Sequence, residues 1–472
     1  GGLMLVILLA LFSCEKEQFL DDPRARLAFS TDTVLFDTVF TTIGSTTKRF
    51  TVKNPHDQKV NISSIELAGG QASDYRLNIN GRSTHRVNDV ELDARDSLFI
   101  FVEVTVDPTH RNQPMVIKDS VIFRRKKQQQ DVKLISWGQD VHLIRGDTLQ
   151  SQTWDGDKPY LIYRSAVVDS QSTLTLEAGT RVYLHRQAGF YVGGRLICEG
   201  SKQRPLIFQG ERLEKDYADI PGQWDGIWLM SGSRNHRIDH TIIKNAITGL
   251  QVGSTPEVSG PILRLSNTRI MHMSHAGLLA RGASIEAFNT LISDCGNYTA
   301  ALTRGGSYAF YHSTLANYWS GTSRTTPSLI INNHYQDSTG ATRLNQLEKA
   351  LFSNCIIWGN QQEEIEINLK NQQKEGHLFT HCLIRTTRPA DLDEAHYQDI
   401  LVNEDPQFVS VSEHNYRLDT LSPAIDQGEM SVALEYPLDI LNHSRTADMA
   451  PDLGAFEYIP GTDSTRQTSP IK

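Results

Sequence analysis

Thr241-Ile242-Ile243, Thr268-Arg269-Ile270, Thr290-Leu291-Ile292, Thr314-Leu315-Ala316, Cys355-Ile356-Ile357 and Cys382-Leu383-Ile384 repeat one short pattern down the second half of the chain. Subtracting residue numbers, their first members stand 27, 22, 24, 41 and 27 residues apart. A small residue followed by aliphatics, at a period in the twenties, marks one strand per turn of a coiled parallel sheet. Matching positions on successive turns then stack about 4.8 Å apart, so each position of the repeat becomes a slot whose occupants touch. The first and third members point inward and the middle member outward.

Bulk properties exclude several classes. With 472 residues the chain can bury a large core. A net charge of −9 and a pI of about 6.0 argue against nucleic-acid binding and against a basic membrane-binding face. The one basic run, Arg124-Arg125-Lys126-Lys127, reads as a solvated hairpin tip. Thirty-three glycines without long apolar helices suit an all-β protein.

Leu3 to Phe12 is an uninterrupted apolar run, too short to span a bilayer but the right size for a signal-peptide core. It leads into Leu11-Phe12-Ser13-Cys14, which resembles a bacterial lipobox, with Phe12 larger than the family prefers. The resemblance implies a signal peptide over 1–13, a diacylated Cys14, a polar tether over 14–26 and membrane attachment through the lipid. The expected location is the outer membrane or cell surface of a Gram-negative-type envelope. The remaining cysteines are Cys198, Cys295, Cys355 and Cys382. Cys355 and Cys382 share a slot, at a spacing that fits a disulfide but with parallel side-chain directions that do not, so buried thiols are expected.

Residues 27–148 have a different rhythm. Seven short alternating runs, among them Thr33–Phe40 and Ser97–Val106, are separated by turn-rich stretches and read as an antiparallel sandwich. Phe50-Thr51-Val52-Lys53-Asn54 and Asp96-Ser97-Leu98-Phe99-Ile100 resemble immunoglobulin-like modules of bacterial exported proteins, which implies a spacer.

From about Leu149 the coil is expected to begin. Leu174-Thr175-Leu176-Glu177-Ala178-Gly179-Thr180, Phe190-Tyr191-Val192-Gly193-Gly194 and Gly222-Gln223-Trp224-Asp225-Gly226 resemble the opening coils of right-handed parallel β-helices of the pectate-lyase-like superfamily. With the triplets, the resemblance covers roughly Thr173 to Arg385. It implies a right-handed single-stranded parallel β-helix over 149–402, but no single activity, because the superfamily holds lyases, hydrolases, epimerases, adhesins and scaffolds. The long step before Cys355 marks an insertion from Trp319 to Lys349. Residues 403–458, with Asp405-Pro406-Gln407-Phe408 and Asp452-Leu453-Gly454-Ala455-Phe456, resemble the closing segment of exported β-helix proteins and are expected to cap the coil. The polar tail over 459–472 reads as disordered.

An active site on such a coil would appear as polar residues sharing a slot. The slot before the triplet holds His240, Asn267, Asn289, Ser313, Asn354 and His381, and Asn267 beside Asn289 reads as a structural asparagine ladder. The middle slot is apolar except for Arg269, so its outer face should be covered by the insertion or the first domain, with Arg269 against a carboxylate or exposed where the cover ends. Two positions beyond the triplet, Asn245, His272, Asp294 and Tyr318 should adjoin. His272 oriented by Asp294 could serve as a base or hold a ligand, and these are the weak catalytic candidates. A structural His–Asp pair at a strand end is the plainer reading. Asn245, Tyr318 and Trp358 are ligand-binding candidates, since exposed Trp and Tyr suit stacking on sugars. Hydrolysis of glycosides usually requires a carboxylate pair, and no slot offers one. Arg281, Arg304 and Lys244 could serve a lyase, but no calcium-binding Asp cluster aligns with them. No metal-ligand spacing, cofactor motif or nucleophile elbow is present. The sequence therefore points to an envelope-anchored all-β protein presenting its β-helix to an extended polysaccharide. A polysaccharide lyase or glycoside hydrolase is the runner-up, and a structural or adhesion subunit of an envelope assembly the third reading.

Overall fold

The computed structural model describes residues 19–41, 43–108, 114–254, 260–371 and 376–460. Cys14, the apolar run before it and the tail from 461 lie outside the described residues. The chain divides into two compact units after Val141.

Two five-stranded sheets build the first unit. One contains Ala28–Phe29, Lys48–Lys53, Ser97–Val104, Tyr75–Ile79 and Arg82–Thr84. The other contains Thr33–Phe40, Gln128–Gln139, Met115–Arg125, Val60–Leu67 and Arg86–Leu92. All pairings are antiparallel except that of Thr33–Phe40 with Gln128–Gln139. Along Ser97–Val104 exposed and buried residues alternate without a break. The two-residue period of a strand thus sends Leu98, Ile100, Val102 and Val104 into a core with Phe36, Phe50, Phe123 and Leu134. The basic run is not wholly solvated. Arg125 is buried and donates to the carbonyls of Leu20, Asp22 and Ala25, leaving Lys126-Lys127 as the turn. A guanidinium has five N–H donors and needs acceptors when buried, and the docked backbone of residues 20–25, the last part of the expected tether, supplies them.

The second unit is a parallel β-helix. Its first strand, His142–Ile144, already pairs in parallel with Tyr160–Ile162, so the coil begins before Leu149. Eleven strands form the first face, the one carrying the triplets. Two further rows of strands form a second and a third face, merging where Ala276–Phe288 and Tyr298–Tyr311 run through both. Like residues stack in the core: Phe310, Phe352, Phe379 and Tyr397 lie ring on ring at 4.9, 4.8 and 5.2 Å. Cys198, Cys295, Cys355 and Cys382 are buried free thiols, which for Cys355 and Cys382 is the expected state.

Backbone geometry explains both polar slots. His240, Asn267, Asn289, Asn354 and His381 have φ of 42, 48, 48, 54 and 49°, and Asn245, His272 and Asp294 have φ of 67, 58 and 54°. Asn, Asp and His are the side-chain-bearing residues that best tolerate this left-handed region. The ladder is present, with Asn289 Nδ2 donating to Asn267 Oδ1 at 3.1 Å and Asn267 Nδ2 to Asp239 Oδ1 at 2.9 Å. One coil is shifted from the expected alignment. Thr314 pairs with Leu291 and with Ile356, so that coil's triplet is Ser313-Thr314-Leu315. His312, with φ 43°, therefore fills the ladder slot, and Asn317 rather than Tyr318 stacks on Asp294.

The outer row of the first face is covered by the segment after Asn403 and not, among the described residues of the second unit, by the insertion. Tyr416, Ile440, Ala455 and Phe456 pack on Leu291 and Ala316, and Leu418, Ala424 and Leu453 pack on Ile356, Trp358 and Leu383. Arg269 meets an aromatic ring, its guanidinium 5.9 Å from the Phe456 centroid, and also feels the charge of the Asp439 carboxylate. The insertion instead adds Leu329–Asn332 to the second face and raises a hairpin, His334–Gln336 with Thr342–Leu344.

Candidate functional site

His272 and Asp294 end neighbouring strands of the first face, Arg269–Met273 and Leu291–Cys295, and both are buried. The closing segment completes their surroundings with two residues that no sequence spacing ties to them. His414 Nδ1 lies 3.0 Å from Asp294 Oδ2, and Tyr416 OH donates to Asp294 Oδ1 at 2.5 Å. The His272 and His414 rings meet edge to face at 4.4 Å. Burial pushes His272 down to about 4, whereas the hydrogen bond to Asp294 raises His414. Burial, reinforced by the Asp294 charge, raises Tyr416. Asp219 Oδ1 approaches His272 Nε2 at 3.4 Å from the solvent side.

The other predicted residues are engaged structurally. Asn245 is buried and donates to the carbonyls of Ala218 and Ile220, tying down the 218–220 loop. Tyr318 packs against Tyr416 and Phe408 beneath the closing segment. Trp358 is buried in the same layer, with Arg385 over its ring at 5.1 Å. None of the three presents a sugar-stacking surface. His272 and Asp294 lie under the closing segment, where both are buried.

An open groove lies on the second face. Tyr191, Trp228, Gln251, Leu279 and Ala301 are in register on successive coils and form its outward row. The groove encloses about 420 Å³ and is walled by Trp228, Gln251, Arg281, Arg304, Tyr335 and Asn345. Two consecutive coils bulge here, with a register shift between Arg281 and Ala283. Gly282 and Gly305 take φ of 63 and 70°, and Arg304 itself takes 63°. Bulges re-aim side chains, and a left-handed conformation at a bulky residue is a local cost that the surrounding pairing must hold in place. Asn345 Nδ2 donates to the Arg304 carbonyl at 2.9 Å, and Asn332 Oδ1 accepts from its N–H at 3.0 Å. The Arg304 guanidinium rests 4.3 Å from the Tyr335 centroid, on the inserted hairpin.

The groove is electrostatically unbalanced. Burial, with the added charge of Arg304, lowers the Arg281 pKa. Among the described residues neither arginine has an ion-pair partner, and no carboxylate lines the groove. Trp228 packs against Tyr191 at 5.6 Å, and its buried Nε1 has no hydrogen-bond partner among the described residues. Arg281, Arg304 and Trp228 are visible in the sequence as residue types. Their convergence is not, because the bulges and the hairpin that gather them follow no repeat.

No family model matches the sequence, and no curated protein matches it. Among solved structures, the catalytic unit of a GH87 alpha-1,3-glucanase from Streptomyces thermodiastaticus is 11% identical over 76% of this chain and 74% of that one, with a TM-score of 0.26. A protein of unknown function from Porphyromonas gingivalis is 16% identical over 27% of this chain and 57% of that one, at 0.18. A family 123 glycoside hydrolase from Clostridium perfringens is 5% identical over 25% of this chain, at 0.18, and the chain spans 26% of that enzyme's length. At these scores the fold rests on the strand pairing of the chain itself.

Proposed function

We propose that this chain is an envelope-anchored protein that binds an extended acidic glycan along the second face of its β-helix without cleaving it. The observation that carries this reading is the pair of guanidiniums, Arg281 and Arg304, gathered without a carboxylate beside Trp228 and Tyr335. Guanidiniums match carboxylate and sulfate groups bidentately, and aromatic walls suit sugar rings. In a chain of net charge −9 such a patch must be built locally, and it attracts an anionic polymer where the remaining surface repels it. In this reading Cys14 carries the lipid, the outer membrane or cell surface is the location, and the first unit is an immunoglobulin-like spacer. Hydrolysis would require two carboxylates across the sugar, and among the described residues none lines the groove. A lyase remains the competing reading, favoured by two arginines beside a tyrosine.

The test uses the mature chain with polygalacturonate and alginate as acidic probes and a neutral glucan as control. Binding to an acidic probe should weaken with salt and fall about tenfold or more in Arg281→Gln and in Arg304→Gln. Equal affinity for the neutral glucan, or unchanged affinity in the double variant, overturns the reading. Unsaturated ends accumulating in the same mixtures would establish the lyase instead. Labelling with radioactive palmitate that persists in Cys14→Ser would remove the anchor.

A further inference from the structure

We propose that His272, Asp294 and His414 hold a first-row divalent cation, zinc foremost, which staples the closing segment to the coil. One ligand atom from each of the three residues lies within 4.8 Å of the others. Zinc at about 2.0–2.2 Å from each donor of a tetrahedral set places neighbouring donors roughly 3.3 Å apart, so a small inward adjustment completes the site. Two imidazoles and a carboxylate are a borderline-class donor set, suited to zinc and its neighbours and poorly suited to calcium or magnesium.

The partners around the three residues support an ion more than a closed hydrogen-bond network. His272 is only 5% exposed, and its polar contact is a long one, Nε2 to Asp219 Oδ1 at 3.4 Å, beside the edge of the His414 ring. One long contact to an exposed carboxylate holds this imidazole weakly, and a cation shared with Asp294 and His414 would use a ring lone pair. Tyr416 already holds Asp294 Oδ1, which fixes the carboxylate, while Oδ2 and His414 Nδ1, 3.0 Å apart, would turn together onto the ion in place of their direct contact. Such an outer partner is how proteins orient a metal-binding carboxylate. Asp219, whose side chain is 61% exposed, stands at the solvent side and can supply the fourth ligand or yield it to water. Among the described residues the Lys244 ammonium is a nearby charge that opposes the ion.

The three residues come from two adjacent coils and from a turn 120 positions further along the chain. An ion here therefore joins the closing segment to the first face. It lies away from the second-face groove, so the two proposals fail independently. The experiment takes the full mature chain, stripped with a chelator, and titrates it calorimetrically with zinc chloride. One equivalent should bind, the affinity should drop at least tenfold in His414→Ala and in His272→Ala, and X-ray absorption should count two imidazoles. A hundredfold excess over the dissociation constant should raise the melting midpoint of the native chain by about 3–5 °C, and that of His414→Ala by none. His414 sits on a partly exposed turn, so its variant is expected to fold even where His272→Ala does not. No saturable zinc binding, binding unchanged in His414→Ala, or equal binding of calcium would each overturn the proposal.

Discussion

At the scale of single residues, buried polar groups carry specific roles. His236 accepts from the Leu196 N–H at Nδ1, 3.1 Å away, and donates from Nε2 to Ser233 Oγ at 2.9 Å. Protonating Nδ1 would break the first bond, and burial already pushes the pKa from 6.5 to about 4. Because the folded value lies below the unfolded one, the unfolded chain takes up the proton first as pH falls. Stability from this group is therefore full above about pH 6.5 and is lost on the way down to about pH 4, a total of about 3 kcal/mol at about 1.4 kcal/mol per unit. The stabilities of the native chain and of His236→Gln should converge by that amount between pH 7 and pH 4 in urea titrations. Arg324 and Glu364 form a bidentate pair at 2.6 and 2.9 Å with both side chains fully buried, and Ser328 and Gln361 add donors to the carboxylate. Arg324→Met strands that carboxylate and should cost about 3–5 kcal/mol by denaturant unfolding.

Among elements, the asparagine ladder and the groove show what repetition does and does not encode. The ladder was legible because Asn267 and Asn289 occupy one slot of a repeat, and a left-handed backbone at that slot restricts it to a few residue types. Asn289 also donates to the Leu438 carbonyl and accepts from Arg445 Nη2, so it couples the coil to the closing segment. Asn289→Ala removes these bonds and adds left-handed strain, and should destabilise the second unit by about 3 kcal/mol. Asn289→Gly should recover about 1 kcal/mol of that in the same thermal or denaturant series, because glycine lacks the Cβ penalty. The shift that puts His312 rather than Ser313 in the ladder was invisible, since Thr314-Leu315-Ala316 satisfies the pattern as well as Ser313-Thr314-Leu315 does. The Arg281–Arg304 groove depends on bulges, which interrupt the repeat and so leave no periodic trace.

For the whole molecule, the closing segment has the largest consequence. It lies along the first face over Leu291, Ile356 and Leu383, apolar side chains that would otherwise point at water. Truncation after Val402 should leave the first unit's unfolding transition in place, while the second unit binds hydrophobic dye and self-associates, as size-exclusion chromatography would record. The sequence by itself determined that the second unit is a parallel coil, which positions face inward on every triplet coil but the one at Thr314, and that two slots carry Asn, Asp or His. Those properties are local and repeated, set by side-chain alternation and by the few residues that accept positive φ. The tertiary structure alone decided what covers the outer row, that His414 and Tyr416 join Asp294, and that two arginines meet beside Trp228. An apolar row demands a cover without naming one, because hydrophobic burial has no direction. Only the return of residues 403–458 along the flank, and the bulging of two coils, turned unplaced side chains into sites.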